Sequence, residues 1–145
     1  MDYNPQIGPH TTYFEEPDII FLRLVGYCDR EQGGEINRRH LEFGQNRANV
    51  FYLIDLAKLE GIDPEVRKRA TQVLNEVPLR GMVGFAAPLK AKVIAKLIFT
   101  ALNLFSGKAE KTPLEFFPTE PDARAWIEKR RLELAAQSRG GSDGR

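Results

Sequence analysis

Short strand-like stretches open the chain. Thr11 to Glu16 mixes aromatic and polar residues, and Ile19 to Tyr27 is a nearly unbroken apolar run that only Arg23 interrupts. The join between them, Glu16-Pro17-Asp18, is typical of a tight turn because proline pre-sets its φ angle. The pattern predicts an antiparallel hairpin.

Further apolar runs follow at intervals. Val50 to Leu56 is apolar on both faces until Asp55, which is typical of a central parallel strand covered by helices on both sides. Gly81 to Ala87 and Leu114 to Phe117 read as two more short strands, and Pro118 should stop the last one at a sheet edge.

Helical patterns separate these runs. Asp29 with Gln32 could cap a helix over Asp29 to Gln45, but Gly33-Gly34 weakens its first turn. We therefore expect the helix to begin near Gly34 and to bury Ile36, His40 or Leu41, and Phe43. Asp63-Pro64-Glu65 is typical of a helix start. The next helix runs from Pro88 to Gly107, and a last one follows Thr119 to Asp122 with Ala123, Trp126 and Ile127 inward.

The predicted order is therefore β-β-α-β-α-β-α-β-α, an α/β fold with a mixed, mostly parallel sheet and about four helices. The 145 residues fit one domain. We expect an irregular segment at 1–10, a single domain at 11–136 and a flexible tail at 137–145.

Three stretches resemble the STAS domain, and in particular its SpoIIAA-like branch, which is related in fold to the Sec14 (CRAL-TRIO) lipid-binding proteins. They are Phe51-Tyr52-Leu53-Ile54-Asp55-Leu56 with Leu59-Glu60-Gly61, the strand and turn Met82 to Leu89, and the closing segment Phe116 to Ile127. The likeness covers roughly residues 11 to 132. It implies a SpoIIAA-like (STAS) fold and a binding or regulatory role.

The best-known STAS proteins are anti-sigma factor antagonists switched by phosphorylation of a serine just before the helix after the central strand. The matching loop here, Ala57 to Glu65, has no Ser or Thr, and the only serines are Ser106, Ser138 and Ser142. Asp63 and Glu65 already place negative charge at that helix start. The phosphorylation role is therefore not carried over.

Composition narrows the function classes. The net charge of +1 argues against nucleic acid as a partner. The apolar segment Val93 to Phe105 is too short for stable membrane insertion. One cysteine, Cys28, suits a reducing compartment, and residues 1–10 lack a signal-peptide pattern. We expect a cytoplasmic protein.

Reactive groups are sparse. Two histidines, His10 and His40, and one cysteine do not supply a metal ligand set, and no spacing requires Cys28 to meet His40. No glycine-rich phosphate loop is present. We expect no metal and no cofactor. Asp55, Glu60 and Asp63 form an acidic group at the carboxyl end of the central strand. This group could bind a ligand, because ligands favour that edge of an open α/β sheet, or it could serve only as a helix cap and a soluble loop.

The helix from Pro88 carries more apolar residues than one buried stripe needs, and Ile98 and Phe99 widen the stripe. Either neighbouring elements cover this surface, or a partner or lipid does. Lys90 and Lys92 flank it and could attract an anionic headgroup.

The leading hypothesis is a non-catalytic binding module that acts through a protein partner or self-association as a homodimer. The second, of a different class, is a carrier for a small apolar or lipid-like ligand, which predicts a cavity between the long helix and the sheet. An enzyme ranks third. The candidate contact residues are Asp55, Asp63, Glu65, Lys90, Lys92, Ile98, Phe99 and Leu102.

Overall fold

The computed structural model describes residues 4–107 and 111–143, without the side chains of residue 105 and residues 140–143. Strands and helices follow one another in the predicted α/β manner. The strands are β1 (Gln6–Ile7), β2 (His10–Glu15), β3 (Ile19–Cys28), β4 (Val50–Ile62), β5 (Leu79–Phe85) and β6 (Leu114–Phe117). The helices are α1 (Arg30–Gly44), α2 (Pro64–Glu76), α3 (Leu89–Phe105) and α4 (Glu120–Asp143).

The six strands form one sheet in the order β1-β2-β3-β4-β5-β6. The pairs β1–β2 and β2–β3 are antiparallel, and the strands β3 to β6 are parallel to one another. Each parallel pair is joined by one helix. Because such crossovers share one hand, α1, α2 and α3 lie on the same face of the sheet.

The sheet has an apolar core on each face. Alternate residues of β4 divide between them: Tyr52 and Ile54 pack in the larger core under α1, α2 and α3, whereas Phe51 and Leu53 pack in the smaller core under α4. All four side chains are buried. This confirms that β4 is a central strand covered on both sides.

Helix α1 begins four residues before the expected start near Gly34. The carboxylate of Asp29 accepts a hydrogen bond from the backbone N–H of Gln32 at 2.8 Å and caps the helix. Gly33 is buried and faces Val66 of α2, where a Cβ atom would lie 2.4 Å from a methyl carbon of Val66. The glycine that lowers helix propensity therefore permits close packing of α1 on α2.

Gly33 and Gly34 should respond in opposite ways to alanine. Gly33→Ala should destabilise the protein by about 1–3 kcal/mol, because the new methyl group overpacks the α1–α2 contact. Gly34 is exposed, and a Cβ there meets nothing within 4 Å, so Gly34→Ala should stabilise by about 0.5–1 kcal/mol through helix propensity. Urea denaturation of the two variants measures both values, and shifts of the same sign would contradict this packing.

Three elements extend beyond their expected ends. β4 continues past Leu56 to Ile62 because Lys58 to Ile62 pair with the end of β3 across two register shifts. β1 adds a short edge strand within the segment 1–10, of which residues 1–3 lie outside the described range. Helix α4 runs to Asp143, through most of the expected tail at 137–145; residues 144–145 are not described.

Candidate functional site

A small apolar cavity lies between the sheet and the three helices on its larger core face. Its volume is about 90 Å³. Strands β3, β4 and β5 form the floor, and α1, α2 and α3 form the roof. Aliphatic side chains dominate the wall, among them Ile54, Leu74, Ile94 and Ile98, and none of the described residues that line it is an Asp, Glu, Lys or Arg. Such a cavity favours an uncharged, apolar occupant.

One part of the wall is polar. The hydroxyl of Thr12 donates a hydrogen bond to the carbonyl oxygen of Phe21 at 2.7 Å. Because a hydroxyl has one proton, Thr12 accepts its second hydrogen bond, at 2.8 Å, from the N–H at Nε2 of His40. Burial lowers the pKa of His40 to about 3. His40 is therefore neutral at pH 7, carries its proton on Nε2, and keeps Nδ1 as a lone-pair acceptor.

Tyr52 lies beside His40 in the cavity wall. The two rings meet edge to face, with centroids 5.1 Å apart. Burial raises the pKa of Tyr52 above its usual range, so the phenol keeps its proton. Asn37 is a further polar residue of the wall, and its side-chain amide donates a hydrogen bond to the carbonyl oxygen of Val66 at 3.3 Å.

Cys28 also lines the cavity, as a buried thiol at the end of β3. Burial, with Asp29 and Asp63 nearby, raises its pKa to about 11. The nucleophilic form of cysteine is the thiolate, and at pH 7 this side chain is a neutral thiol. Nε2 of His40 is directed to Thr12, not to Cys28. The geometry provides no activated cysteine here.

Helix α3 has a buried inner face and an apolar outer face. Phe99 and Leu102 are only 9% and 1% exposed, and Ile98 lines the cavity. Phe99 and Leu102 therefore belong to the core of the free protein, and their role in contacting a partner or ligand stays a prediction. Four other aliphatic side chains, 50–78% exposed, form what we term the outer row: Leu89, Val93, Leu97 and Leu104.

Lysines surround the outer row. Lys90 and Lys96 are exposed, and Lys92 is half-buried. The ammonium groups of Lys92 and Lys96 lie 5.8 and 5.9 Å from the ring centre of Phe116, within cation–π range. No acidic residue occurs between Leu89 and Phe105. This side of α3 therefore combines the apolar outer row with positively charged lysines.

The predicted acidic group is divided by the longer β4. Asp55 lies within the strand and pairs with Arg23 of β3 at 2.8 Å. Asp63 caps α2, accepting from the backbone N–H of Glu65 at 2.9 Å, and pairs with Arg30 at 3.4 Å. Glu65 is exposed in the first turn of α2. Asp55 and Asp63 thus act in separate local contacts.

Sequence reasoning did not include Thr12, Tyr52 or any of the four outer-row residues among the candidate contact residues. The one signal was Tyr52 itself, a hydroxyl inside a strand that is otherwise apolar on that face. Thr12 and Tyr52 lie on β2 and β4, and the sheet order puts β3 between these strands. Thr12 meets His40 through the packing of α1 on the sheet.

The described part of the chain also bears on metal binding and on membrane insertion. No group of three or more His, Cys, Asp or Glu side chains there could hold a metal ion. None of its helices is both long and apolar enough to span a bilayer.

Comparison with known proteins yields solved structures alone, since no protein-family model and no curated protein matches the chain. One is an uncharacterised DUF3478-family protein with a SpoIIAA-like fold from Shewanella loihica PV-4. It is 14% identical, with a TM-score of 0.58 over 87% of this chain and 98% of that one. Another is the anti-sigma factor antagonist SpoIIAA in its unphosphorylated form, 11% identical, with a TM-score of 0.54 over 82% of this chain and 97% of that one. The chain has a SpoIIAA-like, STAS-type fold, as the resemblance implied.

Proposed function

We propose that this SpoIIAA-like domain is a non-catalytic regulatory module that binds a protein partner through the outer row of α3. The observation that carries the proposal is the exposure of Leu89, Val93, Leu97 and Leu104 in one line along the helix. From Leu89 to Leu104 the line is about 22 Å long at 1.5 Å per residue. That length suits a partner helix that lays its apolar face along α3.

The size of the row favours a reversible contact. Each side chain is already partly covered, so burying the remainder contributes roughly 1–2 kcal/mol. Association costs about 4–15 kcal/mol in lost freedom of motion. Four such side chains offset this cost only with help from charge and hydrogen bonding, as in transient signalling complexes.

Charge favours an acidic partner over a second copy of this chain. Two α3 helices packed together would bring two sets of lysines into one contact with no carboxylate on either helix. Like charges across an interface are unfavourable. An amphipathic helix with Asp and Glu beside its apolar face would pair with Lys90 and Lys96 instead.

Charge also favours a protein over a membrane surface. The protein as a whole carries a net charge of +1, which gives little attraction to anionic lipid. The outer row contains no Trp or Phe of the kind that anchors helices at a membrane interface.

The start of α2 supports a module that works without the usual phosphorylation switch. No Ser or Thr occurs between Ala57 and Glu65. Asp63 and Glu65 supply fixed negative charge where a phosphate would otherwise add it, and Arg30 pairs with Asp63.

The test is photo-crosslinking in the cells that make the protein. The photoreactive residue p-benzoylphenylalanine replaces Leu97 in one version and Leu132 in a matched control, because Leu132 of α4 is 66% exposed but lies outside the row. We expect a defined protein adduct at position 97 and none at position 132. The crosslinked peptide should be acidic and amphipathic, and Lys90→Glu should reduce the adduct several-fold.

Other products would contradict the proposal. An adduct with a second copy of the chain would identify self-association, and a lipid adduct would identify a membrane surface. Equal adducts at positions 97 and 132, or none at either, would show that the outer row has no specific partner.

A second candidate function keeps the carrier hypothesis, since the apolar cavity under α3 lies where that hypothesis required one. It concerns the inner face of α3 and is independent of the outer row.

A further inference from the structure

We infer that the partner helix docks on the outer row with one fixed charge polarity: its carboxylates lie over the first half of α3, and the end that covers the last turns of α3 is uncharged. The polarity rests on the proposed protein contact and goes beyond it. That contact calls for an acidic, amphipathic helix, whereas the polarity states where along this helix the acidic residues must lie.

Positive charge on α3 is confined to its first half. The lysines of the helix are Lys90, Lys92 and Lys96. No Lys or Arg occurs from Leu97 to Phe105. Among the described residues, none of the three lysines forms an ion pair with a carboxylate. A carboxylate on the partner therefore meets ammonium groups that lack a counter-charge at one end of the outer row only.

The lysines lie on both sides of the outer row. A helix turns by about 100° per residue, which places Lys90 on one side of the row and Lys92 and Lys96 on the other. The second side is the one nearer β6, because both of its ammonium groups lie within 6 Å of the ring centre of Phe116, at 5.8 and 5.9 Å. The first half of the row is thus an apolar strip between cations, and it fits a helix with carboxylates on both flanks of its apolar stripe.

The two ends of α3 differ in the same sense. Pro88 stands at the N-cap and makes no side-chain cap hydrogen bond, so the first backbone N–H groups keep the partial positive charge of a helix start. At the other end, the ammonium group of Lys111 donates a hydrogen bond to the carbonyl oxygen of Asn103 at 2.8 Å. That contact sets the charge of Lys111 against the partial negative charge of the helix end. Carboxylates on the partner therefore gain most over the start of α3.

Docking in the reverse direction would separate the carboxylates from the lysines. An exposed ion pair changes an affinity by up to about fivefold, and the pairs of all three lysines would be lost. Reversal should therefore weaken binding by as much as about a hundredfold, while the buried apolar area would stay nearly the same. The outer row supplies the contact, and the lysines set its direction.

The experiment maps the partner at both ends of the outer row. p-Benzoylphenylalanine replaces Leu89 in one version of the full chain and Leu104 in another, since these side chains are 78% and 69% exposed. Both versions are irradiated in the cells that make the protein, and the crosslinked peptides are sequenced by mass spectrometry. We expect one partner helix, captured at two sites about 15 residues apart. Asp and Glu should cluster around the site joined to position 89 and be absent around the site joined to position 104.

Two charge reversals test the polarity with the photoreactive residue kept at position 97. Lys90→Glu should lower the yield of the protein adduct several-fold, because it turns an attraction into a repulsion. Lys111→Glu is the matched control at the other end of α3. It reverses an exposed lysine outside the outer row, and because the partner is uncharged there, the yield should stay within about twofold.

An acidic cluster joined to position 104 instead of position 89, or equal amounts of both arrangements, would overturn the polarity and leave the protein contact intact. A larger loss with Lys111→Glu than with Lys90→Glu would overturn it as well. If positions 89, 97 and 104 all yield no protein adduct, the proposed contact itself fails, and the polarity fails with it.

Discussion

Leu102→Ala should lower the free energy of unfolding by about 2–5 kcal/mol, the range for leucines deleted from well-packed cores. Leu102 is 1% exposed and belongs to the larger core. The substitution removes buried methyl groups and leaves a hole that the surrounding sheet and helices fill only in part. Urea denaturation at pH 7, with the wild type measured in parallel, gives the value.

Leu104→Ala is the matched control for this prediction. It removes the same atoms two residues along the same helix, but Leu104 is in the exposed outer row. Its effect should stay within about 0.5 kcal/mol, as for surface substitutions generally. Equal losses for the two variants would mean that α3 does not present its outer row to solvent in the free protein.

Lowering the pH from 7 to 5 should destabilise the protein by about 2 kcal/mol through His40 alone. The folded-state pKa of His40 is about 3, against about 6.5 in the unfolded chain. Below pH 6.5 the imidazole of His40 therefore binds a proton in the unfolded chain but not in the folded protein. The stabilisation is fully present above pH 6.5 and is lost as the pH falls towards 3.

His10 acts in the same direction. Burial lowers its pKa as well, while the hydrogen bond that its ring donates to Oε1 of Gln32 opposes this shift. Carboxylates contribute mainly below this window: Glu35, for example, has a pKa of about 2, held there by Arg38 and Arg39. Urea midpoints at pH 7, 6 and 5 therefore report chiefly on the two histidines.

The control for the pH prediction is His40→Gln, which keeps a donor for Thr12 and removes the titrating ring. It should lose much less stability than the wild type between pH 7 and 5. The wild-type His40 ring signals in NMR provide an independent readout and should stay those of a neutral imidazole down to pH 5. A ring that titrates near pH 6.5 would disprove the buried, neutral His40.

Local patterns were enough to predict the layered fold. The double-sided apolar run at Val50 predicted a central strand, and the sequence Asp63-Pro64-Glu65 predicted a capped helix; both are confirmed. The start of α1 was not predictable from propensity, because Gly33 is favoured there by its contact with Val66. That is a tertiary effect outweighing a local preference.

The face of α3 could not be settled from the sequence. Nearly every position from Val93 to Leu104 is apolar, so periodicity alone does not say which side faces the sheet. The crossover from β5 to β6 determines which side of α3 faces the sheet, and it places Phe99 and Leu102 inward and Leu97 outward. The contact between His40 and Tyr52 could not be predicted from the sequence either, because the two residues lie on a helix and a strand that meet only in the folded protein.

The most direct test of the account is the identity of the molecule that crosslinks to position 97 in living cells. The account predicts an acidic, amphipathic segment of another protein, together with no adduct at position 132. Recovery of a second copy of this chain, of lipid, or of the same products from both positions would contradict it.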